Sequence, residues 1–299
     1  MSDGIIEVLS ALKGPIHHNP LAPYINLPLV DEYIKPLVQS HECISRNIHF
    51  LIFIILFYQI IFISSSIISP LIFSNTFKDL SKKTRLDFHI RIVSLVQSIL
   101  ILIAIIPLFN DPIMENDRVF GHTPYSELVT SAALGYFVWD SIMSLIFVKY
   151  FGIQFLIHGL VSSLVFYIGM TPFIQYYAGI FILFELSTPF LNLRWFGLKF
   201  PKLFPETFNL INNAILILIF FFVRICYGWF QAFKLFNDFY SSYQDERFIT
   251  LYAIIVAFCY NVLGVLNFWW FYRMAKVAFA IISDMISGTN NHDENKKDI

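Results

Sequence analysis

Apolar residues in this chain fall in long unbroken stretches separated by short polar ones. The runs lie at about 48–69, 86–109, 126–148, 153–170, 174–190, 208–232 and 249–272. Each holds about 17–25 residues, enough at about 1.5 Å per residue to cross roughly 30 Å of hydrocarbon. Lipid offers no partners for free backbone groups, so a run of this kind crosses as a helix. The pattern therefore predicts an all-α membrane protein with about seven transmembrane helices. Residues 1–47 break the pattern. They are mixed in character and punctuated by Pro15, Pro20, Pro23, Pro28 and Pro36, which reads as a peripheral arm with short helices. The run at 48–69 is then an extra span ahead of a bundle over 81–284, and the polar tail at 287–299 is expected to be disordered.

Composition agrees with this reading. The chain is 57% hydrophobic and 14% charged, with 34 Phe, whereas a soluble domain is about 45–50% apolar and about 25% charged. A net charge of −1 gives no bulk attraction to nucleic acid. Residues 1–20 contain Asp3 and Glu7 and no apolar core of a signal peptide, so the first span is expected to act as a signal anchor. Cys43, Cys226 and Cys259 form no disulfide framework and read as small buried hydrophobes.

Loop charge adds a direction. Lys78, Lys82, Lys83 and Arg85 lie in one loop, Arg194, Lys199 and Lys202 in another, and Arg273, Lys276, Lys296 and Lys297 after the last span. With seven spans all three fall on one side, while the 110–125 loop opposite carries Asp111, Glu115 and Asp117 against Arg118. Positive loops face the cytosol, so the arm is expected to be lumenal and the C-terminus cytosolic.

Ionisable residues inside spans are costly and usually face a bundle interior or a cavity. Asp140, His158, Glu185 with Ser187 and Thr188, His89 with Arg91 and Ser94, and Asn212 with Asn213 all fall in the half of their span nearest the basic loops. Five helices thus point to one polar cavity open to the cytosol. Arg224 lies deeper, toward the lumen, and needs Asp140, Glu185 or backbone carbonyls as partner. Plainer readings stand beside these: a structural Glu185–Arg224 ion pair, snorkelling anchors at Arg91 and Arg194, and interhelical bonding by Asn213. His158 is the best general-base candidate, because an imidazole titrates near working pH.

The eight histidines form no His-x-x-His or His-x-x-x-His pair, which disfavours a histidine-box iron site. His17 and His18 read as solvated loop, and His41, Cys43 and His49 are too irregular for zinc. No metal or other cofactor is expected. No Gly-x-Ser-x-Gly elbow or glycine-rich phosphate loop is present, which disfavours a serine hydrolase or an ATP-driven pump.

The segment Leu183-Phe184-Glu185-Leu186-Ser187-Thr188-Pro189-Phe190-Leu191-Asn192-Leu193-Arg194-Trp195 resembles a stretch shared by fungal and animal TLC-domain-containing transmembrane proteins, of the TRAM/LAG/CLN family. Lys83 to Ser94, Gly135-Tyr136-Phe137-Val138-Trp139-Asp140, His158-Gly159, and Arg224 with Trp229 support the same resemblance. It covers about 81–284 and implies six helices curved around a cavity in the endoplasmic reticulum or a related membrane. It also implies lipid-cavity roles for His89, Arg91, Ser94, Tyr136, Ser187, Asn192, Arg194, Asn213 and Arg224. The family's ceramide synthases use adjacent histidines and downstream aspartates. Here the matching position reads His158-Gly159, which argues against ceramide synthesis.

Two functions from different classes follow. One is lipid handling, by binding, sensing or trafficking a membrane lipid, extended in its enzymatic form to acyl transfer from acyl-CoA. In that form His158 is the base and Asp140 or Glu185 orients it. The other is a non-catalytic cargo- or translocon-associated membrane protein. The oligomeric state is open at this level.

Overall fold

The computed structural model describes residues 24–73 and 77–287. Residues 1–23, with His17 and His18, and the tail 288–299 lie outside the described residues. Among the described residues there are helices and no strand. After a short helix at Pro28–Tyr33, seven rods run up and down: α1 (Glu42–Ile72), α2 (Lys82–Ala104), α3 (Pro124–Ile146), α4 (Ile153–Gly169), α5 (175–199), α6 (Glu206–Ser242) and α7 (Thr250–Ser287). Five of them, α1, α2, α3, α6 and α7, are long and apolar enough to cross a membrane. The 17 residues of α4 reach only about 26 Å, and α5 is broken into three pieces.

Helix starts follow local chemistry. The Ser81 hydroxyl accepts from the Thr84 backbone N–H to open α2. Thr123 and Ser126 form a reciprocal capping box that opens α3, with Pro124 in its first turn. α3 is the most enclosed rod, packed between α1 and α4 around Leu51, Tyr58, Tyr136, Phe137, Trp139 and Phe166. Tyr58 meets Tyr136 edge-on at 5.3 Å, and Phe137 stacks on Phe166 at 5.2 Å.

The two ends of the bundle differ. At one end the Arg118 guanidinium pairs with Asp238, Arg247 with Asp117, and the Ile174 N–H donates to the Val119 carbonyl. These contacts tie the 105–123, 170–174 and 243–249 connections together. At the other end Phe77, Phe88, Phe196 and Phe200 cluster beneath the basic residues of the α1–α2 and α5–α6 connections. We call these the acidic and the basic end.

Several element bounds differ from the hydropathy pattern. α1 begins at Glu42, so the last residues of the expected arm are already helix. The fifth run does not stop near 190. It bends through a tight 3₁₀ segment, Leu183–Ser187, and resumes as Thr188–Lys199. Pro189, in the first turn of that last piece, has no N–H to give the preceding turn, which locates the break. α6 continues past the expected 232 to Ser242 and contains a π-helical segment, Phe220–Tyr227. α7 continues past 272 to Ser287. Cys43 and Cys259 are buried as expected, but Cys226 is exposed on the outer face of the π segment.

Candidate functional site

The 3₁₀ segment of α5 and the π segment of α6 lie against each other midway along the bundle. Gly228 makes room for the approach. A Cβ at Gly228 would come within 2.9 Å of the Phe184 ring. Winding changes of this kind re-aim side chains and often mark functional sites. Here they aim Arg224 at the α5 break. Its Nε donates to the Phe184 carbonyl at 3.0 Å and to the Ser187 hydroxyl at 2.9 Å. Its Nη1 reaches the Asn267 amide oxygen of α7, and its Nη2 the Thr188 hydroxyl, each at 3.3 Å. The Glu185 carboxylate stands 4.0 Å from Nη2. Both proposed kinds of partner, a carboxylate and a backbone carbonyl, are therefore present, and Arg224 sits at mid-rod rather than toward the acidic end. Arg224, Glu185, Ser187, Thr188 and Asn267 are all buried.

Arg224, Glu185 and Asn267 border a cavity between α4, α5, α6 and α7, with Phe137 of α3. His158, Ser162, Glu185, Arg224 and Asn267 supply its polar lining, and Phe166, Phe181, Trp229 and Tyr260 its aromatic walls. The His158 ring lies edge-on to Phe137 at 6.0 Å and to Trp270 at 5.5 Å. Its Nδ1 is inaccessible and has no hydrogen-bond partner. A buried polar atom without a partner is costly, and the ring that carries it lines the cavity.

A family model described as the TLC domain matches residues 87–276. The chain belongs to the TLC domain family. It is 37% identical over 203 residues to an uncharacterised TLC domain-containing protein of Saccharomyces cerevisiae, covering 64% of each chain. It spans less than two thirds of that relative. It is 31% identical to human TLC domain-containing protein 4 over 83% of this chain and 91% of that one. It is 30% identical to Topoisomerase I damage affected protein 4 of S. cerevisiae over 80% and 87%. No solved structure matches.

Within this TLC domain the site residues expected from sequence fall into separate groups. His158, Glu185 and Arg224 line the cavity, and Ser187 braces Arg224 behind it. Asp140 does not line it. A Cβ at Gly159 would meet the Asp140 carboxylate at 3.1 Å and the Ser141 hydroxyl at 2.8 Å, so Asp140 packs against the α4 backbone beside His158. The same distances explain the glycine. α3 and α4 touch at residue 159, and the second histidine of the ceramide synthases would have to push them apart.

The expectation of one polar cavity gives way to several self-contained clusters nearer the basic end. Arg91 pairs with Asp87 at 2.9 Å, donates to Asn192 at 3.3 Å and lies over the Trp195 ring at 5.0 Å. Asn192 donates to Ser94 at 3.1 Å. Arg194 donates to Asn213 at 3.1 Å, and Asn212 to the Phe190 carbonyl at 2.9 Å. His89 bonds Ser65 of α1 at 2.9 Å, and Tyr136 sits in the aromatic core. None of these lines the cavity, because each has found a partner on a neighbouring rod. Asn267, Trp229, Tyr260 and Ser162 do line it. Apart from Trp229, cited for its pairing with Arg224, they gave no signal as single polar or aromatic residues inside long apolar runs.

Proposed function

We propose that this protein handles a membrane lipid, holding its polar group between His158 and the Glu185–Arg224 pair with its apolar part along the aromatic walls. The observation that carries this reading is the convergence of His158, whose Nδ1 is buried without a partner, with Glu185 and Arg224 on one cavity whose other walls are mostly apolar. A concave apolar site with a few convergent polar groups is the usual form of a small-molecule pocket. The endoplasmic reticulum is the proposed membrane, and the basic end faces the cytosol together with the C-terminus, as the charge difference between the ends favours.

Acyl transfer from acyl-CoA is a second reading, and the free His158 nitrogen favours it. A base of that kind is held by an orienting group, but neither Asp140 nor Glu185 hydrogen-bonds to His158 among the described residues. Binding or sensing therefore comes first. The test is the lipidome of cells lacking the protein, rescued with wild type or with His158→Ala. The proposal expects wild type to restore the altered lipid class and the variant to fail at equal abundance. Full rescue by the variant would overturn it.

A further inference from the structure

A second pocket opens near the acidic end, separate from the central cavity. It lies between the end of α2, the α2–α3 connection, α5 and α6. Tyr227 and Gln231 face it from successive turns of α6, Tyr176 and Gly179 from the first turns of α5, and Phe109, Asn110 and Glu115 from the connection. Two features mark it as more than a packing gap. The Gln231 side chain is 5% exposed, and its Oε1 is fully buried with no hydrogen-bond partner. Glu115 is the one acidic or basic residue in the lining, and no ion pair or hydrogen bond ties it to another described side chain.

The lining fixes the sign and kind of guest. One unpaired carboxylate and no lysine or arginine repel an anion. Hard metal ions take six or more oxygens at close range, and no group of three or more His, Cys, Asp or Glu able to hold a metal occurs among the described residues. Aromatic rings beside a carboxylate do suit an alkylated ammonium, which draws on ring faces as well as on charge. Phe109, Tyr176 and Tyr227 supply those rings. We propose that this pocket is a second binding site, for an organic ammonium group, with Glu115 as its counter-ion and the rings of Tyr176 and Tyr227 as its walls. The ammonium can arrive as the headgroup of a choline phospholipid in the adjoining leaflet or as a free amine.

The probe is choline chloride, titrated onto the full chain in dodecyl maltoside micelles and followed by saturation transfer to the trimethylammonium protons. Glu115 is exposed on a connection, so Glu115→Gln leaves the bundle intact. It should weaken choline binding by about fivefold, as expected for losing one counter-charge about 4 Å away in water-like surroundings. Gln231→Leu should weaken it too, while His158→Ala, in the central cavity, should not. No saturation transfer, or equal affinity in wild type and Glu115→Gln, would overturn the proposal. So would loss of binding with His158→Ala alone, which would put choline in the central cavity. Repeating the titration in nanodiscs separates the two sources. Choline binding suppressed in phosphatidylcholine but kept in phosphatidylglycerol identifies the lipid headgroup, and equal binding in both identifies a free amine.

Discussion

Two of the arginine–carboxylate pairs in this bundle, Arg46–Glu127 and Arg224–Glu185, are built differently. Near the acidic end Arg46 of α1 grips Glu127 of α3 with two bonds, at 3.0 and 2.6 Å. Asn47 adds a third contact at 2.8 Å and His122 a fourth at 3.1 Å. The carboxylate is enclosed and its oxygens are spent. At the centre Arg224 and Glu185 stand 4.0 Å apart, and Arg224 gives its donors to Phe184, Ser187, Thr188 and Asn267 instead. Glu185 is left facing a cavity. A fully satisfied buried network rigidifies a fold, whereas a partly satisfied one beside open space is placed to receive something. The first pair is a clamp and the second is a site.

The comparison breaks most visibly if the clamp is cut. Glu127→Ala leaves Arg46 only the exposed Glu42 at 3.3 Å, and breaking one side of a buried pair costs roughly 3–5 kcal/mol. Chemical denaturation in detergent should show a fall of that size, and Glu185→Ala should cost clearly less. Equal losses would mean that both pairs are structural. Next in size is Gly159→Ala, where the added methyl meets Ser141 and Asp140. Overpacking of this kind costs roughly 1–3 kcal/mol, visible as a lowered melting temperature. The smallest effect is expected at the exposed Arg247–Asp245 pair. There the Arg247 guanidinium holds the Asp245 carboxyl down to about 2. A depressed carboxyl contributes stability above its unfolded value of about 3.9 and loses it as pH falls through about 2. Asp245→Asn should therefore lower the melting temperature at neutral pH by less than the other two variants do, and its curve should converge with that of wild type as the medium is acidified.

The hydrophobic pattern revealed most of the architecture because length and apolarity alone decide which segments can cross lipid. It did not reveal that the fifth run breaks at Leu183–Ser187 and resumes to Lys199, although Pro189, which cannot donate, was the available signal. It could not reveal the π segment of α6, where Phe220 to Tyr227 reads like any apolar helix, nor the ends of α6 and α7, which run on beyond their apolar stretches. In the site, Arg224 and Glu185 were legible because a charge inside a span demands a reason. Arg91, Asn192 and Arg194 made the same demand and were answered by local partners instead of by a cavity. That distinction depends on which rods are neighbours. Glu127 and Asp238 were missed because both lie near span ends, where a carboxylate looks like ordinary loop charge. Their partners, Arg46 and Arg118, are far away in sequence.

The central claim, that the cavity beside His158 holds a lipid, has a direct test in Gly264. Gly264 lines that cavity, and a Cβ there would meet nothing within 4 Å. Gly264→Trp should place an indole in the empty space without disturbing the α7 backbone. Native mass spectrometry of the detergent-purified chain is predicted to show a bound lipid of one class on wild type and none, or far less, on Gly264→Trp with the same melting temperature. A variant that keeps as much lipid as wild type, or a wild type that carries none, would contradict the account.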